Sequence, residues 1–116
     1  MTYEQAACKE LASMLRSHRK LVGGEFSLVS LIDSLGHDSK DWSNLAIDSI
    51  YQYWAKVYSE GCDEKTAAAK AHMIAAHRAG SLLKETLKKF HKGQFEVIGR
   101  SGGRFGGPMV YRWLNT

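Results

Sequence analysis

The side chains best suited to chemistry in this chain are the lysines and arginines of its last third. From Arg78 to Thr116 there are eight Lys or Arg residues and two acids, whereas residues 1–77 carry eight bases and ten acids. The net charge of +4 and the pI of about 9.1 are therefore local properties. A segregated positive field attracts nucleic acid, because each neutralised phosphate releases condensed counterions. The alternative is a solvated helix face whose lysines complement the helix dipole.

The sequence gives little support for a catalytic site or a metal site. His72 and His77 are five residues apart, which on a helix separates them by about 140°, so they cannot share a metal ion. Cys8 and Cys62 belong to no paired ligand spacing and are expected to be reduced thiols. No nucleophile elbow, paired-carboxylate motif or dinucleotide fingerprint is present. We therefore expect no enzyme, cofactor or metal site.

Length and composition indicate one folded domain over residues 1–116. The hydrophobic fraction of 44% and the single proline argue against a disordered chain. The N-terminus lacks a basic region followed by an apolar stretch, and no apolar run reaches the length of a membrane span. These features predict a cytoplasmic protein without membrane contact.

Apolar periodicity predicts helices through the first two thirds of the chain. Helix ends are indicated by Gly23-Gly24 and Gly36, and N-caps by Ser27 and Asp63. The predicted helices cover 3–20, 28–35, a span from Asp41 or Ser43 to about 58, and 64–77. The third contains Ile47, Ile50, Tyr51, Trp54, Val57 and Tyr58, and we expect it at the centre of the core.

A fifth helix, Leu82 to Lys92, carries most of the basic residues. Gly80-Ser81 predicts a turn with Ser81 as the N-cap, and Gly93 ends the helix. Leu83, Leu87 and Phe90 are expected to face the core. The opposite face is predicted to present Ser81, Lys84, Glu85, Lys88 and Lys92.

Two strands follow, Phe95 to Arg100 and Met109 to Trp113, joined by the glycine-rich loop that contains Arg104. A predicted strand follows the glycines, which favours a hairpin, since a phosphate-binding loop would need a helix directly after the glycines. A flexible hairpin tip explains the glycines equally well.

The order helix, turn, helix, strand, glycine-rich loop, strand over residues 64–114 resembles the winged-helix variant of the helix-turn-helix superfamily. The resemblance implies an α+β, mostly helical fold of about five helices with a C-terminal two-stranded hairpin. It also implies that the second helix enters the major groove and that the wing contacts backbone or minor groove. The DNA-contacting residues would then be Ser81, Lys84, Glu85, Lys88, Lys89, Lys92, Arg100 and Arg104. A second register is open, with Phe26 in a short strand and helices 28–35 and 41–58 as the motif pair.

Aromatic residues cover more than one face of the predicted third helix. We expect Trp42, Tyr51, Tyr53 and Tyr58 to form a partner interface, through which the protein dimerises or docks on another protein. The leading hypothesis is a small double-stranded DNA-binding protein, a regulator or accessory factor of transcription or replication, with RNA as another possible polyanion. The alternative is a non-enzymatic interaction factor, such as a phage- or plasmid-type accessory protein or complex subunit, that docks through helix 41–58.

Overall fold

The computed structural model describes residues 2–100 and 107–114 and places them in four helices and a three-stranded antiparallel sheet. The helices are α1 (Tyr3–Leu21), α2 (Leu28–Ser34), α3 (Asp48–Ser59) and α4 (Glu64–Phe90), and the strands are β1 (Glu25–Phe26), β2 (Phe95–Arg100) and β3 (Met109–Trp113). The mostly helical α+β class is confirmed. The predicted five helices and two strands differ from the four helices and three strands of these residues.

Capping residues and glycines in the sequence predicted several helix ends correctly. The Ser27 side chain accepts a hydrogen bond from the Ser30 N–H at the start of α2, and the Asp63 carboxylate accepts one from the Thr66 N–H at the start of α4. After α1, Gly23 and Gly24 have φ values of +73° and +72°, which residues with a side chain rarely adopt. These predicted caps and stops are confirmed.

The predicted turn at Gly80-Ser81 is wrong, because α4 runs through it as one helix of 27 residues. Glycine inside a helix costs about 1 kcal/mol relative to alanine. The buried side chains of Ala79, Leu82 and Leu83 on either side of Gly80 offset that cost. The Ser81 hydroxyl donates to the His77 carbonyl one turn back instead of capping a new helix.

The third predicted helix starts later than expected, at Asp48 rather than at Asp41 or Ser43. Asp41 accepts a hydrogen bond from the Ser43 N–H in a turn, which is not continued as a helix. This turn-rich segment nevertheless buries Trp42, Leu45 and Ile47. Within α3 itself Ile50 is the buried residue, so the prediction that this helix forms the centre of the core is wrong.

The sheet joins distant parts of the chain. The predicted hairpin strands β2 and β3 are confirmed, and β1 adds to β3 with Phe26 opposite Tyr111, giving the order β1-β3-β2. A bulge between Val97 and Gly99 interrupts the hairpin register. Gly99 has a φ of +139°, a conformation that favours glycine. The loop residues 101–106 lie outside the described part of the chain.

The core lies between α1, α2, the second half of α4 and the sheet. Its fully buried members include Leu11, Leu15, Leu31, Leu83, Leu87 and Tyr111. Leu83 and Leu87 are therefore confirmed as the residues that hold the basic part of α4 against the core. Among residues 2–100 and 107–114, no helix is both long enough and apolar enough to cross a membrane.

Candidate nucleic-acid interface

A cluster of rings, which we call the aromatic junction, fixes the C-terminal end of α4 against the sheet. It consists of His18, Phe26, His91, Tyr111 and Trp113. The Phe26 ring stacks on Trp113 at 4.8 Å between centroids, and the His91 ring meets Trp113 edge-on at 5.1 Å. Because all five side chains are buried, they hold α1, β1, β3 and the end of α4 in one arrangement.

Hydrogen bonds set the protonation of the junction. The Trp113 indole N–H donates to His18 Nδ1 at 3.0 Å, so His18 is neutral and carries its proton on Nε2. Burial lowers the pKa of His18 below its ordinary value, because a charged ring would lose its hydration there. A charged ring would also lose the lone pair that accepts from Trp113.

Gln94 links the same junction to α1. Its side-chain oxygen accepts a hydrogen bond from an Arg19 guanidinium N–H and lies 3.1 Å from His91 Nδ1. The Arg19 guanidinium also lies over the Trp113 ring, 5.7 Å from its centroid. His91 Nε2 is buried and has no hydrogen-bond partner among the described residues. These contacts place the ends of α1 and α4 side by side.

The helices α1 and α4 run in the same direction along the molecule. Arg78 on α4 pairs with Glu4 at the start of α1, and Arg19 near the end of α1 reaches Gln94 just after α4. The second half of α4 is therefore flanked by α1 along its length. One side of the basic helix is turned toward α1, and another is left to solvent.

The solvent side holds the central lysines of the predicted set. Ser81, Lys84 and Lys88 are spaced so that they share one helix face, and Lys84 and Lys88 are exposed. Lys92 is exposed two residues beyond the end of α4. No ion pair among residues 2–100 and 107–114 involves Lys84, Lys88 or Lys92. Their ammonium groups are thus open to solvent, which is the arrangement a phosphate contact needs.

Glu85 was predicted to share a helix face with Lys84 and Lys88, but it lies on the side of α4 that is turned toward α1. Lys89 lies on that side as well. Both line an open groove of about 890 Å³ between α1 and α4, together with Phe90. Phe90 is 51% exposed, so the prediction that it packs into the core is wrong. The Lys89 ammonium lies 5.3 Å from the centre of the Phe90 ring. The core positions beside Leu83 and Leu87 are filled instead by Leu82 and Thr86.

Basic residues of α1 border this groove and were missed by the sequence interpretation. Lys9 and Arg16 line it opposite Lys89. They are seven residues apart, two turns of a helix, and both are exposed. This spacing places both residues on the helix face opposite the apolar positions of α1, and the sequence could therefore have indicated a basic face there. The positive surface therefore continues from α4 across the groove to α1.

The hairpin arginines have separate roles. One terminal N–H of the Arg100 guanidinium donates to the Gly107 carbonyl at 3.0 Å, which closes the base of the hairpin loop, while the residue stays exposed. Arg104 lies outside the described residues. Arg112 pairs with Glu96 and lies 3.9 Å from Glu25 across the sheet, so its charge is compensated.

The predicted aromatic interface does not come together as one surface. Trp42 is buried and stacks on His72 at 4.4 Å, and Tyr51 is half-buried, edge-on to both rings. Tyr58 is half-buried beneath the Lys70 ammonium. Tyr53 alone of the four predicted residues is exposed, and Trp42 in particular belongs to the core because the turn 38–47 folds back over α4.

In the described ranges no group of three or more His, Cys, Asp or Glu side chains is placed to hold a metal ion. Comparison of the chain with protein-family models, curated proteins and solved structures gives no match.

Proposed function

We propose that this protein binds double-stranded DNA through a basic surface centred on Lys84 and Lys88, as a regulator or accessory factor of transcription or replication. The observation that carries the proposal is the exposure of these lysines without a carboxylate partner in the described chain. A solvent-facing ammonium keeps its charge for a phosphate, and the rigid helix fixes the backbone beneath it before binding.

Rigid packing beneath the lysines supports the proposal. Leu83 and Leu87 are buried on the opposite side of α4, and the aromatic junction fixes the end of the helix beside the hairpin. DNA could thus meet α4 and the base of the hairpin together. Since α4 has no turn at Gly80-Ser81, the predicted helix-turn-helix pair within 64–92 contributes nothing to this proposal. The contacts supported are therefore to phosphates, which position a duplex without reading its sequence.

The rival proposal, docking on another protein through residues 41–58, has less support. Trp42 is buried and Tyr51 and Tyr58 are covered in part by His72 and Lys70. A partner at that helix would find Tyr53 as its single exposed ring among the four predicted residues.

Salt dependence tests the DNA proposal. The double variant Lys84→Ala/Lys88→Ala should bind a fluorescently labelled random duplex more weakly than the wild type. The slope of log K against log salt should become shallower by about 0.9 for each phosphate that is no longer neutralised, or about 1.8 for two. Fluorescence anisotropy at several salt concentrations measures both quantities.

A matched control is available at the other end of the molecule. Lys56→Ala/Lys65→Ala removes the same charge from two exposed lysines far from the aromatic junction, and it should keep the wild-type slope. If both double variants change the slope equally, net charge rather than this surface attracts the DNA, and the proposal fails.

A further inference from the structure

The groove between α1 and α4 carries positive charge on both of its walls. Lys9 and Arg16 line the α1 wall, and Lys89 lines the α4 wall. All three are exposed, and none of the ion pairs in the described chain involves them. Lys9 and Arg16 are separated by about 10.5 Å along the helix axis. A ligand in the groove, which has a volume of about 890 Å³, is therefore within reach of cations from both helices.

Acidic residues of the groove offset only part of this charge. Glu4 lines one end of the groove, but it pairs with Arg78, which is not among the lining residues. Glu85 lines the α4 wall and takes part in no ion pair of the described chain. Three cations against one unpaired acid leave two positive charges in excess, so the groove favours an anionic ligand.

One aromatic ring is exposed among these charges. Phe90 lines the groove at the end of α4 and is 51% exposed, with the Lys89 ammonium beside its ring. Ala12 and Leu82, the aliphatic residues of the lining, are almost fully buried. The groove thus offers a ligand one flat apolar surface together with several cations.

This combination discriminates between classes of anionic partner. An acidic amphipathic helix needs a row of apolar contacts at intervals of three and four residues, which a single exposed ring does not supply. In a duplex the bases are stacked in the interior, so a duplex brings phosphates to the cations but no base to Phe90. A single strand carries an unpaired base beside each phosphate. Its bases stack on aromatic side chains while lysine and arginine contact its backbone.

We propose that the groove between α1 and α4 binds single-stranded nucleic acid, with the cations of both walls on its phosphates and Phe90 stacked on a base. The backbone at Phe90 is held in place, because the next residue, His91, is buried edge-on against Trp113. The site lies on a different side of α4 from Lys84 and Lys88. The inference therefore does not depend on duplex binding by those two lysines.

Removing the exposed ring tests the stacking contact. Phe90→Ala should weaken binding of a fluorescein-labelled oligo-dT of about ten nucleotides at least about fivefold, the loss expected when one base is no longer stacked. Phe90→Trp should restore binding, because an indole also offers a face to a base. Tyr53→Ala removes a ring of similar exposure, 48%, outside the groove, and should bind like the wild type. Fluorescence anisotropy at low salt compares the four proteins.

Unchanged binding by Phe90→Ala, or equal weakening by Phe90→Ala and Tyr53→Ala, overturns the proposal. A polyglutamate of equal length that binds as tightly as oligo-dT overturns it as well, because the groove would then accept any acidic chain. Oligo-U of the same length distinguishes RNA from DNA as the preferred strand. A random duplex should bind Phe90→Ala as it binds the wild type, so failure of this inference is distinguishable from failure of the duplex proposal.

The two cysteines give a second readout in the unsubstituted protein. Cys8 is half-buried and lines the groove, whereas Cys62 is half-buried in the connection between α3 and α4, outside the groove. Saturating oligo-dT should slow the alkylation of Cys8 by iodoacetamide and leave that of Cys62 unchanged, as followed by mass spectrometry of the peptides. Equal rates at Cys8 with and without oligo-dT would place the strand elsewhere and contradict the proposal.

Discussion

At the end of the molecule where α1 and α4 finish, two helices and three strands enclose Trp113, and the lysines of α4 point away from that core. At the opposite end, the end of α3 and the first half of α4 pack mainly on each other, and Val57 stays 43% exposed. The exposed groups at the two ends thus have different physical origins. Lysines are exposed opposite a completed core, whereas the apolar side chains are exposed beside an incomplete one. Charge favours a polyanion at the first end, whereas residues 54–77 at the other end carry three lysines and three acids and so have no net charge to attract one.

The largest contrast between the two ends should appear in stability. Phe26→Ala removes a ring that is stacked on both Tyr111 and Trp113, and should lower the free energy of unfolding by about 3 to 5 kcal/mol. Val57→Ala near the end of α3 should change it by less than about 0.5 kcal/mol, because the side chain is 43% exposed and alanine favours a helix more than valine does. Urea unfolding at low protein concentration measures both. Comparable decreases would mean that the two ends are packed alike.

A smaller effect tests whether α4 is one helix connecting the two ends. Gly80→Ala should raise the free energy of unfolding by about 0.5 to 1 kcal/mol, because alanine favours the helix and nothing lies within 4 Å of the added methyl group. Gly36→Ala is the control: its φ of +86° disfavours a side chain, so the same change should destabilise. A turn at Gly80-Ser81 would instead make Gly80→Ala neutral or harmful.

The aromatic junction should also make stability depend on pH. His18 is neutral in the folded protein because burial lowers its pKa, whereas in the unfolded chain it takes up a proton as the pH falls through about 6.5. The free energy of unfolding is therefore greatest above that pH and decreases below it. His18→Gln keeps an acceptor for Trp113 and should reduce this dependence, which unfolding midpoints about one pH unit above and below 6.5 would reveal. The exposed His37→Gln is the control, and equal pH profiles for all three proteins would contradict the account.

Local chemistry made much of the fold predictable. Ser27 and Asp63 could be identified as caps because the hydroxyl or carboxylate and the N–H that it accepts from are three residues apart. Gly23 and Gly24 could be identified as a stop because their conformation is costly for other residues. The same reasoning gave a wrong turn at Gly80. Tertiary packing of the neighbouring side chains, and not the low helix propensity of glycine, decides that the helix continues there.

Features that depend on distant contacts could not be derived from spacing. The pairing of Phe26 with Tyr111 joins residues far apart in the chain, and the burial of Trp42 depends on where the turn 38–47 folds. For the site, the exposure of Lys84 and Lys88 follows from helix periodicity, because Leu83 and Leu87 define the opposite face. The position of Glu85 and Lys89 beside α1 required knowing which helix packs there.

The most direct test of the central claim is to map the amide chemical-shift changes of the ¹⁵N-labelled protein as a random DNA duplex is added at low salt. We expect the changes to concentrate in residues 81–92 and at the base of the β2–β3 hairpin, and to decrease as salt is added. Residues 54–77, at the other end of the molecule, should be unaffected by the DNA. Changes confined to residues 54–77, or no changes at 81–92, would contradict the account.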